Sequence, residues 1–426
     1  MNYINTLEFA RQLDKDDNLS KYRERFLFPK VNGRDALYFC GNSLGLQPKT
    51  AKDYINTELD DWAKYGVEGH FEATHPWFSY HEPFLEPVAR LVGALPSEVA
   101  VMNSLTVNLH LLMVSFYRPS KDRFKIICED DAFPSDHYAL SSQIKFHGFN
   151  PEQALIKLKP RKGEYTLRTD DIIQAINKHG NSLALLMLGG VNYYTGQAFD
   201  MKTITKATHN VGAIAGYDLA HAVGNIKLNL HDWDVDFACW CGYKYLNSGP
   251  GGVSGVFIHD KHGNNPNLPR FDGWWGNDPV TRFKMSKDFI PAKGASGWQL
   301  SNAPVFAMAV HRASLELFDE AGMDKLTDKS IKLTCFLEFI INELNKINKN
   351  NTITIITPSD TKQRGCQLSL IIANNGKQLH KNLTSKGVIA DWREPNVIRL
   401  APVPLYNSFE DVYRFGEILK EEIIKV

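Results

Sequence analysis

The chain of 426 residues is long enough for a large hydrophobic core and, at the usual size of domains, for two domains. Its 48 basic and 48 acidic residues give a formal charge of zero, so no general basic field is present to attract nucleic acid or an anionic membrane. No apolar run approaches the roughly 20 residues of a membrane helix. The first residues alternate charged with apolar side chains, and we expect a cytoplasmic protein.

The six cysteines are sparse and stand mostly in apolar segments, unlike the cysteines of a secreted disulfide framework. Cys239 and Cys241 are spaced like half of a zinc site, but no second pair lies nearby in the sequence. An extended strand would place both side chains on one buried face. We therefore expect packed free thiols and no metal.

Strand-like apolar segments alternate with helical patterns between about residues 90 and 260. The strand candidates are RFKIICED, SLALLMLGGV, GAIAGYDLA and VDFACWC. This alternation is typical of a parallel sheet that is buried on both faces by helices. It predicts a large α/β domain over residues 51–310.

A different pattern begins after about residue 310 with the helical segment VFAMAVHRASLELFDEAG, which ends at a glycine. Further helices and strands follow, in the segments DKSIKLTCFLEFIINELNKI, NTITIIT, CQLSLIIA, GKQLHKNLTSKG and NVIRLAPVP, and an amphipathic helix closes the chain. They predict a smaller α+β domain over residues 311–426, against which residues 1–50 pack. The lysine and asparagine run at 346–351 is interpreted as a loop.

Polar and aromatic side chains stand where the predicted strands end, and ligands bind beyond the carboxyl ends of strands in open α/β sheets. Asp218 and His221 follow one strand, and Lys244 follows the next. Other strands lead to Gly189, Tyr193 and Tyr194 and to Phe133, Ser135, Asp136 and His137. The spacing from Asp218 to Lys244 suits one βα unit, which would put both at neighbouring strand ends.

These residue types together suit a pyridoxal phosphate site. A lysine bonds covalently to the cofactor aldehyde, a carboxylate keeps the ring nitrogen protonated so that the ring accepts electrons, and an aromatic side chain stacks on the ring. Taken singly, each residue has an ordinary explanation. Asp218 can form a turn, Lys244 can be solvated, His221 can be a core histidine and Phe133 can be a packing residue. Their joint placement favours the cofactor site.

The segment MNSLTVNLHLLMVSF offers a site for the phosphate group. Ser104 and Thr106 stand at the start of a long helical pattern. Hydroxyl groups and free N–H groups at a helix N-terminus bind anions. Simple N-capping of the helix by Ser104 is the alternative.

Several of these segments resemble those of one known family, the kynureninases. The resemblance rests on the motifs FCGNSLGLQPK, MNSLTVNLHLLM, DAFPSDHYA, NYYTGQ, GYDLAHAVGN, DWDVDFACWCGYKYLNSGPGG, GWWGN, WQLSN and APVPLYNSF, and extends from about residue 35 to 415. It implies a fold-type I pyridoxal phosphate enzyme with a mainly parallel seven-stranded sheet and a smaller C-terminal domain. It also implies a homodimer with active sites at the subunit interface.

The activity implied is hydrolysis of L-kynurenine or 3-hydroxy-L-kynurenine to anthranilate or 3-hydroxyanthranilate and L-alanine. The resemblance implies that Lys244 bonds covalently to the cofactor and that Asp218 pairs with its ring nitrogen. Tyr243 is the candidate general acid and base, because it stands next to Lys244 in the sequence. The implied cofactor pocket comprises Leu105, Thr106, Phe133, Ser135, Asp136, Gly189, Asp218, His221, Tyr243, Lys244, Trp274 and Asn302. The implied substrate contacts are Arg399 at the α-carboxylate and Ser43, His70, Tyr194 and Asn302.

Two positions depart from the family pattern. Asn277 follows GWWG where animal relatives carry histidine, and Gly189 stands where some relatives have serine. His70 and Asn302 match members that prefer the 3-hydroxy substrate, and both can hydrogen-bond a ring hydroxyl. The alternative is that His70 is a loop residue without a ligand contact. The rival functions are another enzyme of the same fold, such as an aminotransferase or a desulfurase, and a non-catalytic scaffold.

Overall fold

The computed structural model of the chain describes residues 2–285, 287–348 and 352–425. Its helices are α1 (Leu7–Lys15), α2 (Ala51–Tyr65), α3 (Gly69–Glu72), α4 (Leu85–Val92), α5 (Leu105–Phe116), α6 (Pro134–Phe146), α7 (Pro151–Ala154), α8 (Thr169–His179), α9 (Met201–Asn210), α10 (Asp260–Gly263), α11 (Val305–Ala321), α12 (Met323–Ile347), α13 (Gly376–Ser385) and α14 (Phe409–Ile423).

The strands are β1 (Phe26–Leu27), β2 (Lys30–Val31), β3 (Arg34–Asp35), β4 (Leu37–Tyr38), β5 (Gln47–Pro48), β6 (Val99–Val101), β7 (Lys125–Glu129), β8 (Leu155–Leu158), β9 (Leu183–Gly189), β10 (Ile214–Asp218), β11 (Phe237–Trp240), β12 (Gly255–Ile258), β13 (Ile353–Ile355), β14 (Leu368–Ile372), β15 (Val388–Ile389), β16 (Asp391–Arg393) and β17 (Val397–Leu400).

A seven-stranded sheet with the order β6-β12-β11-β10-β9-β7-β8 forms the centre of the larger part of the molecule. Strands β8, β7, β9, β10 and β11 are mutually parallel, and β12 is antiparallel to both of its neighbours. Four of these strands lie in the four segments predicted as strands from the sequence. The predicted α/β fold is confirmed.

Alternate residues of the central strands enter two separate cores, one on each face of the sheet. In β9, Leu186 and Leu188 join the core formed with α4, α8, α9 and α11, whereas Leu185 and Met187 join the core formed with α5 and α6. The period of two in a strand produces this division, and it explains the continuous apolar run.

One expectation about the sheet is wrong in part. Asp218 and Lys244 do follow neighbouring strands, because β10 and β11 pair in parallel register. The segment between these strands, however, consists of turns and contains no helix. The connection is therefore not a βα unit. The turn that begins after Asp218 is where His221 lies.

A second, four-stranded antiparallel sheet has the order β13-β14-β17-β16 and packs with α12, α13 and α14. The N-terminal residues join this part of the molecule, since β4 pairs with β15 and Asp14 of α1 accepts hydrogen bonds from the N–H groups of Phe409 and Glu410. The proposed domain limits at residues 50 and 310 stay predictions.

The helix predicted to end at a glycine does so, because Gly322 has a φ of 77° that suits a residue without Cβ. The interpretation of residues 346–351 as a loop is wrong at its start, where α12 continues to Ile347. Residues 349–351 lie outside the described residues. Among the helices that the structure describes, none is both long and apolar enough to cross a membrane.

Replacing Asp14 by alanine should lower the stability of the C-terminal part, because Asp14 caps the N-terminus of α14 from another helix. The loss of a capping carboxylate costs about 1 kcal/mol. Circular dichroism during thermal unfolding measures the effect. Asp16→Ala, at an exposed position of the same turn, is the control. Equal unfolding midpoints for the two variants would contradict the capping role.

Candidate functional site

A pocket opens where β7, β9, β10 and β11 end, at the edge of the sheet predicted from the sequence. Most of the predicted cofactor residues line it: Leu105, Thr106, Phe133, Ser135, Asp136, Gly189, Asp218, His221, Tyr243 and Lys244. These residues come from distant parts of the sequence. The parallel strands bring them together because their carboxyl ends share one edge.

Asp218, which is buried, and Asp136, which is partly exposed, both line the pocket and interact with each other. One carboxylate oxygen of Asp218 accepts the N–H of Ala220 at 2.7 Å, which fixes the side chain beside the end of β10. Burial raises the pKa of both carboxyl groups, and the pKa of Asp136 is raised further by the adjacent Asp218. Asp136 is thus the protonated member and donates to Asp218, which keeps the negative charge.

Lys244 approaches His221 on the same side of the pocket, with 3.0 Å between its Nζ and the histidine Nε2. Burial, together with the neighbouring Lys244, lowers the pKa of His221 well below its usual range, so the imidazole is neutral. It accepts from the lysine at Nε2 and carries its proton on Nδ1. Within the described residues this buried Nδ1 has no hydrogen-bond partner, which leaves a donor for a ligand.

The first turn of α5 forms another wall of the pocket. The side chain of Ser104 makes no capping hydrogen bond to the helix, so the alternative of simple N-capping is not what the structure shows. The hydroxyl groups of Thr106 and Ser135 are 2.9 Å apart. Hydroxyl groups beside a helix N-terminus form a favourable site for a phosphate group.

Two aromatic side chains flank Lys244. The ring of Phe133 has its centroid 5.8 Å from the lysine Nζ and is 42% exposed, so one face is open to a ligand. The phenol of Tyr243 is half-buried, and burial, with the neighbouring Cys241, raises its pKa above the usual range. The phenol therefore keeps its proton at neutral pH and can act as a donor.

Arg399 of β17 lies beside the pocket with its side chain fully buried. It donates to the backbone oxygen of Tyr193 at 2.6 Å and to the hydroxyl of Ser43 at 3.1 Å, and it forms an ion pair with Asp391. Burial lowers its pKa to about 10, which leaves the guanidinium charged at neutral pH. The predicted substrate residues Arg399 and Ser43 are thus in contact with each other.

Six predicted site residues are not among those that line the pocket: Arg399 and Ser43, described above, and four others. Tyr194 lies in the adjacent loop, where its N–H donates to Asn192. Trp274 is 51% exposed and contacts Phe283, Asn302 is exposed, and His70 bonds the backbone oxygen of Val67. Their assigned roles stay predictions.

Three polar residues near the pocket were missed from the sequence. Glu129, at the end of β7, accepts from the Gly189 N–H at 2.8 Å and the Asn192 amide at 3.1 Å, and burial raises its pKa to about 7. Its position at a strand end was a usable signal. Asn192 stands in the motif NYYTGQ quoted above, but the partners of Asn192 and of Asp391 are set by loop and sheet geometry and could not be predicted.

Comparison with known proteins places this arrangement in a family. A model of the kynureninase C-terminal domain matches residues 326–419. A kynureninase of Flavobacterium johnsoniae is 57% identical over 424 residues, which cover all of both chains. A kynureninase of Nematostella vectensis is 48% identical and covers 97% of this chain and 93% of its own.

Solved structures with low sequence identity share the fold. An apo cysteine desulfurase of Thermococcus onnurineus has a TM-score of 0.74 at 17% identity, covering 92% of this chain and 95% of its own. A cysteine desulfurase of Escherichia coli has a TM-score of 0.76 at 16% identity, covering 96% and 99%. The likeness to these two structures extends to the fold alone. The identity over the full length of the curated relatives shows that this chain belongs to the kynureninase family.

Proposed function

We propose that this protein is a pyridoxal phosphate-dependent kynureninase that hydrolyses L-kynurenine, 3-hydroxy-L-kynurenine or both. The products are anthranilate or 3-hydroxyanthranilate and L-alanine. The observation that carries the proposal is the convergence of Lys244, the Asp218–Asp136 pair and the N-terminus of α5 on one pocket. The identity of 48% or more to full-length kynureninases supports it.

The residues of the pocket fit pyridoxal phosphate. Lys244 offers the amine for its aldehyde, and the buried carboxylate of Asp218 suits a protonated ring nitrogen. The unpaired Nδ1 of His221 supplies a donor that no protein group uses within the described residues. When bound, the cofactor supplies an electron sink for a carbanion at the substrate α-carbon.

The protein residues then carry the proton transfers and the orientation of the substrate. Lys244 removes the α-proton and returns it. Tyr243, which retains its proton, donates a hydrogen bond to the γ-carbonyl oxygen while water adds to that carbon. The bond between Cβ and Cγ then breaks: Cγ keeps the oxygen of the added water and leaves as the aromatic carboxylate, the electron pair of the bond passes to Cβ, and Cβ takes up a proton released from that water to give alanine. Arg399 binds the α-carboxylate.

Asp391 has a defined part in this scheme. In the free chain it neutralises Arg399, which is fully buried and would otherwise be an uncompensated charge. Ser43 bonds both groups. A substrate carboxylate therefore meets a guanidinium whose orientation is already fixed by Asp391, Ser43 and the backbone of Tyr193.

We propose that two copies of the chain form the complete active site. Trp274 belongs to a patch of aromatic side chains that also includes Phe71, Phe78 and Phe283, with successive ring centroids 5.4 to 5.9 Å apart. Three of these rings are more than half exposed. Exposed apolar patches of this kind mark interaction surfaces. A second copy seated there would explain why Trp274, Asn302 and His70 lie outside the pocket of their own chain.

A desulfurase activity is the rival that the fold neighbours suggest. Such an enzyme needs a reactive thiolate, and reactive thiols occupy accessible sites where their pKa is low. All six cysteines lie within the described residues, and none is exposed. Cys40 contacts Ser43, and burial raises the pKa of the Cys40 thiol, which makes it a poor nucleophile.

A cytoplasmic location and a preference for the 3-hydroxy substrate stay predictions.

Lys244→Ala should abolish both turnover and covalent attachment of the cofactor. Borohydride reduction followed by mass analysis of the peptides measures the attachment without depending on activity. The control is Lys227→Ala, which removes an exposed lysine paired with Asp324. A peptide adduct of unchanged yield in the Lys244 variant would end its assignment as the cofactor lysine.

Arg399→Lys should raise the KM for kynurenine and leave kcat less affected, because lysine keeps the charge but not the two parallel hydrogen bonds. Loss of charge-assisted bonds of about 1.5–3 kcal/mol corresponds to roughly 10- to 100-fold. Steady-state kinetics measure both constants. Arg90→Lys, in a surface pair with Asp319, is the control. An unchanged KM would remove Arg399 from substrate binding.

Complementation tests the shared active site. Lys244→Ala and Trp274→Ala chains, each impaired alone, should regain about a quarter of parent activity when co-expressed, since half of the dimers are mixed and each has one intact site. Mixing Lys244→Ala with Asp218→Ala is the control, because both residues line the same pocket and no intact site can form. Mixed dimers can be isolated by placing a different tag on each variant. If these dimers show no recovery of activity, the shared active site is contradicted.

A further inference from the structure

A cluster of histidines and carboxylates lies at the end of the large sheet away from the cofactor pocket. Glu98 directly precedes β6, His231 precedes the start of β11, and His259 and Asp260 follow the end of β12. Because β12 is antiparallel to β11, its end lies where β11 begins. The pocket lies where β11 ends, so this cluster takes no part in the site described above.

The four side chains direct one ligand atom each toward a common point. Their ligand atoms all lie within 4.8 Å of one another. The Nδ1 of His231 is 2.9 Å from Glu98 Oε1, and the Nδ1 of His259 is 3.6 Å from the same oxygen and 2.8 Å from Asp260 Oδ1. The two imidazole rings stack with centroids 4.9 Å apart.

Hydrogen bonds hold Glu98 at this point, since its Oε1 accepts from the Nδ1–H of His231 and from the N–H of Asp260, each at 2.9 Å. The Nδ1 of His259 accepts the N–H of Lys261 at 3.3 Å, although it also faces the oxygens of Asp260 and Glu98. Oxygen and nitrogen lone pairs repel at 2.8 Å unless a proton or a cation lies between them. Glu98 has no exposure to solvent, so these partners must offset the cost of burying its carboxylate.

The local charge is also negative. Lys261, the residue that follows Asp260, is engaged with Asp234 at 2.6 Å and Asp236 at 3.0 Å. Glu98 and Asp260 supply the two carboxylates of the cluster. A divalent cation would neutralise this charge.

We propose that Glu98, His231, His259 and Asp260 bind one divalent metal ion of the zinc class. Two imidazole nitrogens and two carboxylate oxygens form a ligand set that zinc accepts, with bonds of about 2.0–2.2 Å. Tetrahedral bonds of that length place neighbouring ligand atoms about 3.3–3.6 Å apart. The four ligand atoms, which lie within 4.8 Å of one another, would reach these separations by small side-chain rotations. No local sequence pattern indicates this site, because its four residues come from three distant segments.

The site has an access route and a structural role. The side chains of His231 and Asp260 are 34% and 44% exposed, whereas those of Glu98 and His259 are buried. A metal ion would therefore reach the site from the surface, past His231 and Asp260, and would be bound on its buried side by Glu98 and His259. It would tie the segments that precede β6 and β11 to the end of β12, and would stabilise the antiparallel side of the sheet without touching the substrate.

Zinc binding to the cofactor-loaded protein tests the proposal. After equilibrium dialysis against zinc chloride, metal analysis should give one bound equivalent in the parent, and thermal unfolding should shift upward as zinc is raised. His231→Gln and Asp260→Asn should each weaken binding by about tenfold or more and remove the shift. Kynureninase activity should persist in both variants.

His147→Gln is the matched control, because it removes a half-buried histidine that lies against Tyr117 and outside the cluster. It should bind zinc as the parent does. Absence of saturable binding in the parent, or equal binding in the parent and both cluster variants, would overturn the metal site. Zinc held by cysteines or by the cofactor would bind equally well to the parent and to both cluster variants. In that case the metal site would be wrong, whereas the proposed function would be unaffected.

Discussion

The parallel register of β9, β10 and β11 is the constraint on which the rest of the site depends. Asp218 pairs with Gly189 on one side and with Cys239 on the other, so three strands end at the same level. The chain leaves β11 directly toward Lys244. Each strand ends in a functional group at the same edge of the sheet. The pairing of the strands is therefore enough to bring these groups together in the pocket.

Burial then decides the charge of the groups that meet there. Asp136, Glu129 and Asp218 stand at one edge of the sheet, and such a group of carboxyls cannot all ionise cheaply in a buried site. Asp136 keeps its proton and supports Asp218, while His221 is kept neutral beside Lys244. A site with one stable anion and one amine results, and that pairing matches a ligand with a cationic ring and an aldehyde.

The smaller sheet contributes to the same region through β17. Arg399 reaches the loop after β9 by its bond to Tyr193, whose ring lies 5.3 Å from that of Phe133. Glu129 and Asn192 fix that loop from the opposite side. Arg399, which we propose binds the substrate carboxylate, and the pocket are therefore joined through one short segment, so that residues of two sheets can contact a single substrate.

The sequence by itself determined the parallel α/β fold and the strand-end residues such as Asp218 and Lys244, because burial on both faces and strand periodicity leave a local pattern. It did not determine the helix-free connection between β10 and β11, since turns of that length carry no periodic signal. Only the tertiary structure placed Asp391 against Arg399, left Trp274 outside its own pocket and brought Glu98 to His231. Contacts between residues far apart in sequence depend on the packing of whole elements, and no local pattern encodes that packing.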